Sequence, residues 1–135
     1  MKMKNMYGYN LVPIYTQEQI RYRVKELGVE LSQKFRNEIP IFIGVLNGSF
    51  IFLADLLREL TIDCEMDFIK LSSYEKTLST GTVHLLKDIS ADITGRHVII
   101  IEDIIDSGLT ISFLKNRLEG AIPKSVTTVS LLYKP

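Results

Sequence analysis

The chain has 135 residues, 46% hydrophobic and 24% charged, a balance that supports a packed core and excludes a disordered polymer. Sixteen basic and sixteen acidic residues cancel, so no global field holds DNA or RNA, and any phosphate must be bound locally. The lone Cys64 excludes an internal disulfide, and the opening MKMKNMYGYNLVPIYT has no continuous apolar run of signal-peptide or membrane-spanning type, so the expected location is cytoplasmic, with no membrane or nucleic-acid partner.

In chain order, residues 17–36 place Ile20, Val24, Leu27, Leu31 and Phe35 at helical spacing between charges, predicting an amphipathic helix. IPIFIGVLNG, residues 39–48, is a short β-rich run ending in Asn-Gly, and SFIFLADLLREL, residues 49–60, suits a helix packed on a sheet. CEMDFIKLSSY, residues 64–74, alternates from Cys64 to Phe68 as a strand with one wetter face would. The polar EKTLSTGTVHLLKD, residues 75–88, predicts a long hairpin excursion. RHVIIIEDI, residues 96–104, reads as a strand buried on both faces, TISFLKNRLEG, residues 110–120, as a helix closed by Gly120, and SVTTVSLLYK, residues 125–134, as a last strand. No repeat, low-complexity tract or linker divides the chain, so one domain is expected over residues 1–135. The alternation predicts an α/β fold, a mostly parallel twisted sheet with flanking helices, its ligand crevice at the carboxyl ends of the strands.

Two turns fall at that edge, one at Asn47 and one from Glu102 to Thr110. In the second, Glu102, Asp103 and Asp106 follow an apolar run and precede Ser107, Gly108 and Thr110. A single acid there would commonly be a solvated strand end or a helix cap. Three acids beside small hydroxyl residues at a helix start have a more specific use. The helix N-terminus suits a phosphate, while acceptor-only carboxylates suit sugar hydroxyls, with a hydrated Mg²⁺ screening the charge between them. A phosphorylated ribose satisfies both halves.

The stretch VIIIEDIIDSGLT, residues 98–110, resembles the phosphoribosyl pyrophosphate motif of the type I phosphoribosyltransferases, most closely the hypoxanthine-guanine branch. GVLNGSFIF, residues 44–52, is similar to that branch's pyrophosphate turn, LSSYEKTLSTG, residues 71–81, to its mobile lid, and SLLYK, residues 130–134, to its base-reading strand. The resemblance implies transfer of ribose 5-phosphate from phosphoribosyl pyrophosphate to N9 of hypoxanthine or guanine, releasing pyrophosphate. It also implies Mg²⁺ as cofactor and a homodimer or homotetramer.

Position by position, it implies that Glu102 and Asp103 hold the ribose hydroxyls and their Mg²⁺. Asp106 would handle the proton at the purine and, with Ser107, Gly108, Leu109 and Thr110, wrap the 5-phosphate. Leu46, Asn47 and Gly48 would bind pyrophosphate across a peptide that in this family is often cis before position 47. Ser73 and Tyr74 would belong to a flexible lid, and Lys134 would donate to the purine's 6-oxo group. Taken alone, these stretches have plainer readings: an Asn-Gly turn, a strand end and a solvated terminal lysine. Leu109 and Asn47 stand where many relatives carry basic residues, which weakens the electrostatics and leaves the backbone cradle. In the family, several tens of residues follow the base-reading lysine and supply a purine-stacking aromatic, an aspartate for a second Mg²⁺ and an arginine. This chain stops at Pro135, so the expected domain lacks that purine hood. His84 and His97 fit no metal or triad spacing and are expected at surface or loop, and Cys64 in strand packing. The competing readings are a non-catalytic phosphoribosyl-ligand sensor or RNA-binding regulator on the same scaffold and, less well matched to the helix start, a receiver-type phosphoacceptor.

Overall fold

The computed structural model describes residues 4–6, 8–11, 13–73, 83–105 and 108–134. A small antiparallel pair, β1 (Lys4–Met6) and β2 (Tyr9–Leu11), turns at Gly8, whose φ of 80° suits a residue without a side chain. It precedes α1 (Gln17–Lys34), β3 (Ile41–Leu46), α2 (Phe50–Arg58), β4 (Glu65–Ser73), β5 (Val83–Lys87), β6 (His97–Ile105), α3 (Leu109–Glu119) and β7 (Ser125–Tyr133). The five later strands form one sheet in the order β5-β4-β3-β6-β7, parallel except for the β4–β5 hairpin.

Helix α1 starts where Thr16 and Gln19 cap each other: the Gln19 N–H donates to Thr16 Oγ1 at 3.1 Å and the Thr16 N–H to Gln19 Oε1 at 2.8 Å. Its inner stripe is Val24, Leu31 and Phe35, with Leu27 partly covered; Ile20, placed on that stripe by spacing, is 39% exposed because the buried face begins one turn later. Strand alternation divides the core. Phe42, Ile99, Ile101 and Val129 meet α1 and α2 on one face, and Ile41, Ile43, Val45, Ile69, Val98 and Ile100 meet α3 on the other. Residues Val98 to Ile101 are all 0% exposed, which fits a strand covered on both faces.

Two expectations need correction. The alternation read from Cys64 to Phe68 does not give one dry face, since Met66 is 47% exposed while Ile69, on the opposite face, is 0%. Asp67 is held by backbone donors far along the chain: its Oδ2 accepts the Ser90 and Ala91 N–H groups at 2.7 and 2.9 Å, which pins the approach to β6. Gly120 closes α3 as expected, in right-handed geometry at φ −60°, and a left-handed residue follows at Ile122, φ 55°. His97 is also not a loop residue. It opens β6, half-buried, with Nδ1 2.5 Å from Ser125 Oγ and its ring edge-on to Phe35.

Candidate active site

Strands β3 and β6 are neighbours, yet β3 leads through α2 to β4 on one side and β6 leads through α3 to β7 on the other. Such a reversal opens a crevice beyond the carboxyl ends of the two strands. Two sequence-predicted segments sit at its mouth, the turn after β3 and the acidic end of β6.

The β3 turn runs through Leu46, Asn47 and Gly48, the last two exposed, and the Leu46–Asn47 peptide is cis, as the resemblance implied. Ser49 then starts α2. It is 0% exposed, makes no side-chain cap bond, and its Oγ lacks a hydrogen-bond partner among the described residues. At the other helix, Gly108 sits at φ 78° ahead of Leu109 and Thr110, again without a side-chain cap and with no acid in the first turn. A helix N-terminus left in this state suits an anion.

The two carboxylates lie next to each other near the end of one strand. Strand β6 continues to Ile105, so Glu102 and Asp103 are strand residues that project to opposite faces. Glu102 continues the Val98–Ile100 series toward the α3 face, opposite Ser130 of β7. Asp103 continues the Ile99–Ile101 series toward the α2 face, where a Cβ on Gly48 would lie 2.6 Å from its Oδ2. The Ile104 N–H donates to Asp103 Oδ1 at 2.8 Å, fixing that carboxylate in place. Alternation within a strand was the signal that could have separated the two acids in the sequence.

Glu102 is only 9% exposed. Burial, reinforced by the neighbouring Asp103 charge and partly offset by the Asp103 N–H, raises its pKa to about 7. Neither acid has a lysine or arginine partner within salt-bridge distance among the described residues. A buried carboxylate without a counter-charge is stabilised by hydroxyl donors or a cation, so this donor set fits sugar hydroxyls and a hydrated Mg²⁺.

Among the remaining predicted residues, the Lys134 N–H donates to Ile105 O at 2.9 Å, which brings that lysine to the same sheet edge, exposed. Ser73 ends β4 opposite Val83 in the antiparallel pair, at the base of the expected excursion. Tyr74, Asp106 and Ser107 lie outside the described residues. Cys64 packs against the core, and burial, with Asp63 nearby, pushes its thiol pKa up, which suits packing and not nucleophilic attack.

The phosphoribosyl transferase domain matches residues 13–135. The chain is 44% identical over 123 residues to the hypoxanthine-guanine phosphoribosyltransferase of Bacillus subtilis, covering 90% of this chain and 68% of that protein. It is 42% identical over 123 residues to the bifunctional protein TilS/HprT of Listeria innocua, covering 90% of this chain and 19% of that longer protein. The crystal structure of a hypoxanthine-guanine phosphoribosyltransferase from Bacillus anthracis, with HEPES in its active site, superposes with a TM-score of 0.87 at 43% identity, covering 100% of this chain and 76% of that one. Sheet order, the paired strand-end turns and these likenesses agree: the chain belongs to the phosphoribosyl transferase domain family, alongside relatives that are hypoxanthine-guanine phosphoribosyltransferases.

Proposed function

We propose that this chain carries the phosphoribosyl pyrophosphate site of a purine salvage enzyme that forms the nucleotide of hypoxanthine or guanine. The observation that carries the reading is the meeting of Gly48 with Asp103 at the β3–β6 crevice. That contact supports placing a pyrophosphate turn and a sugar-hydroxyl carboxylate within one ligand's length.

In the reaction, the bond from the ribose anomeric carbon to pyrophosphate breaks and a bond from the same carbon to the purine N9 forms. Positive charge develops on the sugar ring as pyrophosphate leaves. Glu102 and Asp103, fixed by β6 and already desolvated in part, stabilise that charge and orient the ring through its hydroxyls. Residues 106–110, which lead into α3, anchor the 5-phosphate through backbone amides and hydroxyls. The amides of Leu46, Asn47 and Gly48 take the departing pyrophosphate. Asp106 exchanges a proton with the purine at N7, and Lys134 donates to the 6-oxo group, which selects oxo over amino purines. Ser73 and Tyr74 cover the centre and exclude water, which would otherwise hydrolyse the activated sugar. Mg²⁺ held by Glu102 and Asp103, when bound, offsets the charge of the pyrophosphate and the acids. We further read the protein as one domain over residues 1–135 that works in the cytoplasm as a homodimer or homotetramer.

The test is product formation from phosphoribosyl pyrophosphate and hypoxanthine or guanine by the wild-type protein and by Asp106→Asn. The expected result is Mg²⁺-dependent turnover in the wild type, lost by about a hundredfold or more in the variant while phosphoribosyl pyrophosphate still binds. Unchanged turnover in the variant would remove Asp106 from the chemistry, and binding without turnover in the wild type would favour a ligand sensor.

A further inference from the structure

We infer that Gly48 is a positioning residue: its missing side chain lets the pyrophosphate turn rest against the Asp103 carboxylate, so that one steric contact ties the two halves of the sugar pyrophosphate site together. The inference deepens the function proposed above and rests on it for the identity of the ligand.

Backbone geometry does not explain a glycine at position 48. The glycines with positive φ among the described residues are Gly8, Gly95 and Gly108, and at those positions a Cβ would meet nothing within 4 Å. At Gly48 the situation is inverted. Its backbone lies outside the left-handed region, while a Cβ would lie 2.6, 3.0 and 3.1 Å from Oδ2, Cγ and Oδ1 of Asp103. Space, not conformation, selects the glycine here.

The close approach at Gly44 is different in kind, since a Cβ there would strike the apolar side chains of Leu53 and Phe68. Only at Gly48, among the described glycines, does the near neighbour belong to the candidate site. Asp103 has little freedom to retreat. Its side chain is short, and Oδ1 already accepts the Ile104 N–H at 2.8 Å within the strand. An added methyl needs roughly 3.4 Å for ordinary contact, so the carboxylate or the turn must move by about 0.8 Å, a displacement large enough to matter for a bound sugar. A shift of the turn is thereby transmitted to the acid that orients the ribose, and a shift of the acid to the turn.

A double-mutant cycle with Gly48→Ala and Asp103→Ala tests this, read by calorimetric binding of phosphoribosyl pyrophosphate with Mg²⁺ and by thermal unfolding without ligand. Gly48→Ala is expected to weaken phosphoribosyl pyrophosphate binding on the order of tenfold in the wild-type background and less than about twofold once Asp103 is alanine. Midpoints of unfolding should couple in the same sense, with the alanine at 48 tolerated better when the carboxylate is gone. Equal losses in both backgrounds, in binding and in unfolding, would overturn the inference, as would a Gly48→Ala protein that binds like the wild type. A wild-type protein that fails to bind phosphoribosyl pyrophosphate would sink the proposed function instead, and the ligand-free unfolding cycle would then decide the contact: coupling supports it and additivity refutes it.

Discussion

Replacing Glu102 by glutamine should stabilise the folded protein at alkaline pH while damaging the site. The carboxyl moves from an ordinary 4.5 to about 7 on folding, chiefly through burial and then through the Asp103 charge. Below pH 4.5 the group is protonated in both states and contributes nothing to the pH dependence. Between pH 4.5 and about 7 the unfolded chain releases a proton that the fold retains, so the folded state loses stability as pH rises; above about pH 7 the loss is complete. At 1.36 kcal/mol per pKa unit the full shift corresponds to about 3 kcal/mol, and water reaching the open sheet edge reduces this to about 1–2 kcal/mol. Glutamine keeps the shape and never ionises. Urea unfolding of both proteins across pH 4.5–8 should therefore show a wild-type deficit that opens through this window and is flat beyond it. A difference between the two proteins that does not change with pH would refute the reasoning. The same substitution should weaken phosphoribosyl pyrophosphate binding, a stability gain set against function.

Asp67→Ala should cost about 2 kcal/mol, because the N–H groups of Ser90, Ala91 and Phe68 lose their acceptor. Burial raises the Asp67 pKa, but those donors and Lys87 outweigh it and hold the carboxyl below its usual range. Its contribution is thus present above an unfolded pKa of about 3.9 and is lost as pH falls through the lower folded value; the urea midpoints of the two proteins should differ at pH 6 and converge in acid. Gly44→Ala places a methyl 2.8 Å from Leu53 Cδ2 and 3.0 Å from Phe68 Cε1, and over-packing of this kind costs about 1–3 kcal/mol. A urea midpoint equal to that of the wild type would show that these two side chains can withdraw.

The long elements were readable because their patterns report burial directly. The run from Val98 to Ile101 has no polar residue to face solvent, and helices cover it on both faces of the sheet. Helix α1 was legible from its stripe, and Thr16 with Gln19 was a further signal of its start that the stripe alone did not use. The β1–β2 pair was not legible, since three-residue strands are too short to show a period. The candidate site was legible as a set of chemical types and not as an arrangement. Glu102 and Asp103 are adjacent in the sequence, and only their place in a strand shows that they project to opposite faces. Asn47-Gly48 reads as an ordinary turn until the fold brings residue 103 against it, a contact across 55 positions that no local pattern encodes. Asp67 had the same limitation, because its partners at 90 and 91 arrive only after the β4–β5 hairpin returns.

Calorimetric titration of phosphoribosyl pyrophosphate into the protein, with Mg²⁺ and again with the metal chelated, tests the central claim most directly when repeated on Asp103→Asn. The account predicts saturable binding that requires Mg²⁺ and weakens by about tenfold or more in the variant, the effect of losing charge-assisted hydrogen bonds to the sugar. Absent binding, or binding indifferent to both the metal and Asp103, would contradict it.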